Sequence, residues 1–407
     1  SNAMMKSIIL IVLDGLGDRP GSDLQNRTPL QAAFRPNLNW LASHGINGIM
    51  HPISPGIRCG SDTSHMSLLG YDPKVYYPGR GPFEALGLGM DIRPGDLAFR
   101  ANFATNRDGV IVDRRAGREN KGNEELADAI SLDMGEYSFR VKSGVEHRAA
   151  LVVSGPDLSD MIGDSDPHRE GLPPEKIRPT DPSGDRTAEV MNAYLEEARR
   201  ILSDHRVNKE RVKNGRLPGN ELLVRSAGKV PAIPSFTEKN RMKGACVVGS
   251  PWLKGLCRLL RMDVFDVPGA TGTVGSNYRG KIEKAVDLTS SHDFVLVNIK
   301  ATDVAGHDGN YPLKRDVIED IDRAMEPLKS IGDHAVICVT GDHSTPCSFK
   351  DHSGDPVPIV FYTDGVMNDG VHLFDELSSA SGSLRITSYN VMDILMQLAG
   401  RSDKFGS

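Results

Sequence analysis

Hydrophobic positions in this chain gather into short unbroken runs. Ser7 to Leu13 (SIILIVL), Phe294 to Ile299 (FVLVNI) and Ala335 to Thr340 (AVICVT) are apolar almost throughout, and Ala245 to Gly249 (ACVVG) and Pro358 to Tyr362 (PIVFY) are similar. Runs of this length read as strands covered on both faces, the pattern of a parallel sheet. Pro36 to His44 (PNLNWLASH) predicts a helix with proline at its start and Gly45 just past its end. Ser388 to Ala399 predicts a C-terminal helix that packs on the sheet and stops at Gly400. The segment VYYPGRGPFEALGLG has four Gly and two Pro and reads as loop and short helix.

The pattern changes after about Arg93. As far as Gly228, strand signals (ALVVSG, ELLVRSAG) mix with a helical one, Arg186 to Leu202, and arginine is frequent. The strand runs resume at Ala245. A chain of 407 residues is long for one domain. The predicted class is therefore α/β. A doubly wound, mostly parallel sheet with helices on both faces occupies residues 4–93 and 229–407, interrupted by a smaller α/β or α+β insert at 94–228.

Composition narrows the function. A net charge of −6 leaves no basic surplus for nucleic acid, and an anionic substrate must be drawn in locally, by arginines or cations. No apolar stretch is long enough for a membrane span. Five scattered Cys without metal spacing suit a reducing compartment. Ser1-Asn2-Ala3 ahead of Met4 reads as a tag-cleavage scar, and the run after it is too short for a signal peptide. The expectation is a cytoplasmic protein with no nucleic-acid or membrane partner; homo-oligomerisation is left open.

The candidate chemistry sits where strand-like runs end. Asp14 follows the first run, Asp303 and His307 lie four apart beyond FVLVNI, and Asp342-His343 follow AVICVT. His352 comes shortly after, in KDHSGD. Each alone has an ordinary explanation: Asp-x-x-x-His is common, and a histidine in a polar loop is usually just solvated. Acid/His groups after three separate strand-like runs are harder to ascribe to surface scatter. With the hydroxyl of Ser61 they would suit two divalent cations close together, able to clamp both oxygens of a phosphoryl transfer. Ser61 precedes a predicted helix, where a serine is most often an N-cap, and Ser64 is an equally good cap candidate.

The motifs DGLGD at Asp14, GSDTSHMSLLGYDP at Ser61, VPGATGTVGSNYRGK at Val267, KATDVAGHDG at Lys300 and GDHSTPCSFKDHSGDPVP at Gly341 together resemble cofactor-independent phosphoglycerate mutases of the archaeal type, within the alkaline-phosphatase-like metalloenzymes. The resemblance runs from Met5 to the C-terminus. It implies a glycolytic and gluconeogenic isomerase that interconverts 2- and 3-phosphoglycerate without 2,3-bisphosphoglycerate. It implies that Asp14, Ser61, Asp342 and His343 ligate one cation, with Ser61 the phosphorylated nucleophile. Asp303, His307 and His352 would ligate the second, and the metal would be Mn²⁺, Zn²⁺, Mg²⁺ or Co²⁺. Lys300, next to the ligands, is expected to contact the transferred phosphoryl group. The insert would bind glycerate through forked donors. Its candidates are Arg114, Arg118, Arg148, Arg186, Arg225 and the cluster Asp164, Ser165, Asp166, Pro167, His168, Arg169, though any one surface arginine is more often merely solvated. The insert is expected to close over the phosphoserine through hinges near Gly95 and Gly228. The alternative reading is a phosphatase or another phosphomutase, such as a phosphopentomutase, on the same scaffold.

Overall fold

The computed structural model describes residues 5–407, and the leading Ser1-Asn2-Ala3 lies outside them. Internal contacts divide the chain into two compact units. The first takes in the chain up to Tyr77, Pro234–Ser250 and Leu260–Ser407; the second takes in Pro78–Ile233 and Pro251–Leu259. The sequence pattern set the junctions at 93/94 and 228/229. Helix Arg80–Gly87 instead packs on strands Leu97–Arg107 and Glu221–Lys229 and on helix Pro251–Leu259, so all of these fall in the second unit.

The first unit is built on an eight-stranded sheet. Its order is Asp263–Phe265, Gly244–Val247, Phe294–Ile299, Ser7–Leu13, Ala335–Thr340, Val357–Tyr362, Ile46–His51, Leu384–Thr387. Phe294–Ile299, Ala335–Thr340 and Val357–Tyr362 are buried at every position, which is why their sequences do not alternate. Ile9, Ile11, Leu13, Val295, Val297, Ile337 and Val339 pack beneath helices Pro36–His44, Tyr278–Leu288 and Tyr311–Ala324. Each fully buried Leu, Ile or Val contributes about 1.5–3 kcal/mol. The sheet is mostly parallel, with one exception: Val357–Tyr362 runs antiparallel to both neighbours.

What positions the site is the centre of this sheet. Ser7–Leu13 lies between Phe294–Ile299 and Ala335–Thr340, parallel to both, with Leu13 opposite Ile299 and Val12 opposite Thr340. Three adjacent strands therefore end side by side at one edge. The residues after them are Asp14, Lys300 and Gly341-Asp342.

The second unit is a six-stranded antiparallel sheet, centred on Leu97–Arg107 between Arg148–Ser154 and Glu221–Lys229. Leu97, Phe99, Ala101 and Phe103 face a core that includes Phe139, Leu151, Val153 and Val224, beneath helices Asn123–Ala129 and Asp185–Asp204. Alternation sends Arg100 and Asn102 to the opposite face, where Arg225 and Arg148 are their register partners.

Candidate active site

At the strand ends of the first unit, Ser61 opens helix Ser61–Leu68 as its first residue, after Gly60. Its hydroxyl does not cap its own helix. Oγ lies 2.7 Å from Asp342 Oδ2, 3.0 Å from His343 Nε2 and 3.4 Å from Asp14 Oδ1. Ser64, one turn on, is buried and donates to the Asp342 carbonyl at 2.5 Å. Of the two serines, open on sequence alone, Ser61 is the one whose hydroxyl lies among the acid and histidine side chains.

A second group adjoins the first. Asp303 and His307 share helix Ala301–His307, one turn apart, with Asp303 Oδ1 at 3.3 Å from His307 Nε2 and 3.6 Å from His352 Nε2. The rings of His343 and His352 stack at 3.5 Å. Lys300 Nζ stands between the groups, 2.6 Å from Asp303 Oδ2 and 3.5 Å from Asp14 Oδ1. Asp14, Asp303, Asp342 and His343 are buried, Ser61 and His352 are half-buried, and His307 is exposed.

These donors suit cations. His307 Nδ1 lies 3.1 Å from the Lys350 carbonyl, and His352 Nδ1 lies 2.9 Å from the Cys59 carbonyl. A carbonyl only accepts, so both Nδ1 atoms carry the proton and both Nε2 lone pairs turn toward Asp303. Burial and the neighbouring His343 lower the His352 pKa, favouring the neutral, ligating form. Burial works to raise the Asp342 carboxyl. His343, His65, the Ser61 hydroxyl and the Gly15 N–H outweigh it and hold the carboxyl below its usual value. Burial alone would lower Lys300 as well, but Asp14 and Asp303 hold it well above its usual value, as a cation. Burial and the nearby Asp342 push the Cys59 thiol up to about 12, so it is no nucleophile.

Around the ligands lies a buried polar shell absent from the sequence-based expectation. His65 Nδ1 meets the Ser61 carbonyl at 2.8 Å, and Asn298 Nδ2 reaches both His65 Nε2 and Asp14 Oδ2 at 3.1 Å. Both ring nitrogens of His65 are thereby engaged, making it a support for Ser61. Lys314 Nζ bonds the carbonyls of Gly15, Gly17 and Thr345 and the Asp18 carboxylate, at 2.9 to 3.2 Å. One signal for Lys314 was visible: it shares the stripe of Val317, Ile318 and Ile321 on its helix, so its side chain had to be buried.

Behind Asp18, Glu376 accepts the Asp18 N–H and the Thr28 hydroxyl, and burial pushes its pKa up to about 7. A raised acid pKa contributes stability that is complete below its unfolded value of 4.5 and is lost as pH rises through 7. Glu376→Gln removes the titration. Between about pH 5 and pH 8 the wild type should lose about 1–3 kcal/mol relative to the variant, read from denaturant melts. A constant difference would contradict the assignment.

In the second unit, loop 164–169 docks on strand Glu221–Lys229 through Ser165 N–H to the Val224 carbonyl and Val224 N–H to Ser165 Oγ, both 2.9 Å. Asp164 meets His168 Nε2 at 2.9 Å and accepts the Ser226 N–H at 3.2 Å. Asp166 takes a two-pronged pair from Arg114, 2.9 and 2.8 Å, and stands 3.8 Å from Arg225, whose Nη1 donates to Asn102 at 3.0 Å. Burial and Arg100 lower the Arg225 pKa, against the pull of Asp166. Asp164, His168 and Arg225 thus converge, joined by Arg114 and Asp166. Arg148 shares their sheet face, and Arg118 and Arg169 are exposed. Arg186 does not join them. It is the second residue of the helix that covers the opposite, core face, and it stacks over Tyr137.

A family model described as 2,3-bisphosphoglycerate-independent phosphoglycerate mutase matches residues 42–208. A Thermoplasma volcanium protein of that name is 73% identical over 403 residues, covering 99% of each chain. One from Picrophilus torridus is 50% identical, covering 99% of this chain and 100% of its own. A solved cofactor-independent phosphoglycerate mutase from Thermoplasma acidophilum is 93% identical with a TM-score of 0.88, covering 97% of this chain and 100% of that one. With near-complete coverage at such identity, the chain belongs to the 2,3-bisphosphoglycerate-independent phosphoglycerate mutase family.

Proposed function

We propose that the family's reaction, interconversion of 2- and 3-phosphoglycerate, proceeds in this chain through a phosphoserine at Ser61. The observation that carries the reading is the Ser61 hydroxyl, set among Asp342, His343 and Asp14 beside a second three-donor group. Ser61 Oγ attacks the substrate phosphorus, the bond from phosphorus to the glycerate oxygen breaks, and glycerate is freed. After it turns, its other hydroxyl takes the phosphoryl group back from Ser61. Asp342 accepts from the Ser61 hydroxyl, whose proton ends on the departing glycerate oxygen. Two divalent cations, on Asp14, Ser61, Asp342, His343 and on Asp303, His307, His352, would make that hydroxyl more acidic and neutralise phosphoryl charge. Lys300 adds a permanent positive charge between the two groups. The mixed oxygen and nitrogen donors suit Mn²⁺ or Zn²⁺.

The phosphoserine must be kept from water while glycerate turns. Arg225, with His168 and Arg148, supplies charge-assisted donors for the glycerate carboxylate. Arg225→Ala should therefore raise the ratio of inorganic phosphate to 2-phosphoglycerate formed from 3-phosphoglycerate. The loss of one such hydrogen bond, about 1.5–3 kcal/mol, corresponds to roughly tenfold or more. A higher KM at an unchanged ratio would mean that Arg225 only binds.

An enolase-coupled assay tests substrate and metal together. EDTA-treated protein should be inactive with 3-phosphoglycerate and recover on adding Mn²⁺. Release of phosphate alone would favour a phosphatase.

A further inference from the structure

Thr345 is fully buried two residues beyond His343, and its hydroxyl touches a ligand from each cation group. Oγ1 lies 2.7 Å from Asp303 Oδ1 and 3.1 Å from His343 Nδ1. A hydroxyl has one proton. Asp303, a carboxylate, only accepts, so that proton goes to Oδ1 and Thr345 can only accept from His343. His343 must then carry its proton on Nδ1, where the Ser344 carbonyl at 3.3 Å also only accepts. This leaves the Nε2 lone pair facing Ser61, Asp14 and Asp342.

The surrounding chain is shaped to admit this residue. A Cβ on Gly15, whose φ is +64°, would stand 2.5 Å from Thr345 Oγ1 and 2.7 Å from Asp303 Oδ1. A Cβ on Gly306 would stand 2.3 Å from the Thr345 carbonyl and 2.9 Å from its methyl carbon. Lys314 holds that carbonyl at 3.1 Å. The glycines inside DGLGD and DVAGH thus form the two walls of a slot for one side chain, drawn from the third ligand loop.

We propose that Thr345 is a positioning residue that couples the two cation sites: the relay His343 Nδ1–H to Thr345 Oγ1–H to Asp303 Oδ1 orients one ligand of each, so both sites need the same hydroxyl. The proposal rests on the two-cation reading above. Second partners of metal ligands usually change affinity by about 10–100-fold.

The test is calorimetric titration of metal-stripped protein with Mn²⁺, alongside melting of the stripped protein. Wild type should bind two ions per chain. Thr345→Val, of similar shape but without the hydroxyl, should weaken both by about tenfold or more, and Thr345→Ser should restore both to within about threefold. Val weakening one site alone, or neither, would overturn the coupling and leave the two-cation reading intact. Fewer than two ions in wild type would overturn both. Should the stripped Val variant fail to melt cooperatively, Thr345→Ser decides: two tight sites support the relay, and their loss overturns it.

Discussion

Ser61→Ala is expected to lower mutase turnover by about 10⁴-fold or more, with the fold retained. The hydroxyl is placed to take a phosphoryl group: its oxygen meets Asp342, His343 and Asp14, whereas Ser64 is buried with its hydroxyl committed to the Asp342 carbonyl. Removing a nucleophile removes the covalent route altogether, so neither more substrate nor more Mn²⁺ should restore the rate. Ser64→Ala should act differently, by loosening the loop that carries Asp342, and should leave substantial turnover. The comparison is a coupled assay of both variants at matched circular dichroism. Comparable activity in Ser61→Ala would remove it as nucleophile.

Asp303→Ala should have the next largest effect, because one carboxylate serves several partners. Its Oδ1 faces His307, His352 and the Thr345 hydroxyl, and its Oδ2 pairs with Lys300. The alanine leaves two histidines facing one another without an anionic donor and leaves Lys300 with Asp14 alone. Metal content should drop from two ions to about one per chain, and turnover should fall by about 10³-fold or more. Elemental analysis after gel filtration, with a coupled assay on the same sample, reads both. Full metal content with normal turnover would contradict the two-cation arrangement.

The strands that carry the site announced themselves because they are buried on both faces, so Ser7–Leu13, Phe294–Ile299 and Ala335–Thr340 read as continuous apolar runs. Their adjacency, which makes one site of three motifs, came from the expectation of a parallel sheet. Direction was not readable in every case: an apolar run shows burial but not sense, and Val357–Tyr362 proved antiparallel. Ile46–His51 was missed because Asn47 and Gly48 break the run. Asn47 is buried through bonds to Asp369, a partner 322 residues away. His65, Asn298 and Thr345 escaped for a related reason: their roles depend on contacts between loops distant in sequence. The insert was harder still. Its arginines become meaningful only once alternation in a particular register puts Arg100, Arg148 and Arg225 on one face, and helix packing removes Arg186 to the other.

The central claim is that the phosphoryl group passes through Ser61. Mixing the Mn²⁺-loaded protein with phosphorus-labelled 3-phosphoglycerate, quenching in acid during turnover and mapping the label by peptide mass would test it most directly. The account predicts label on Ser61, appearing no more slowly than 2-phosphoglycerate and chased into it by unlabelled substrate. Label on another residue, or label on Ser61 that forms more slowly than product, would contradict it.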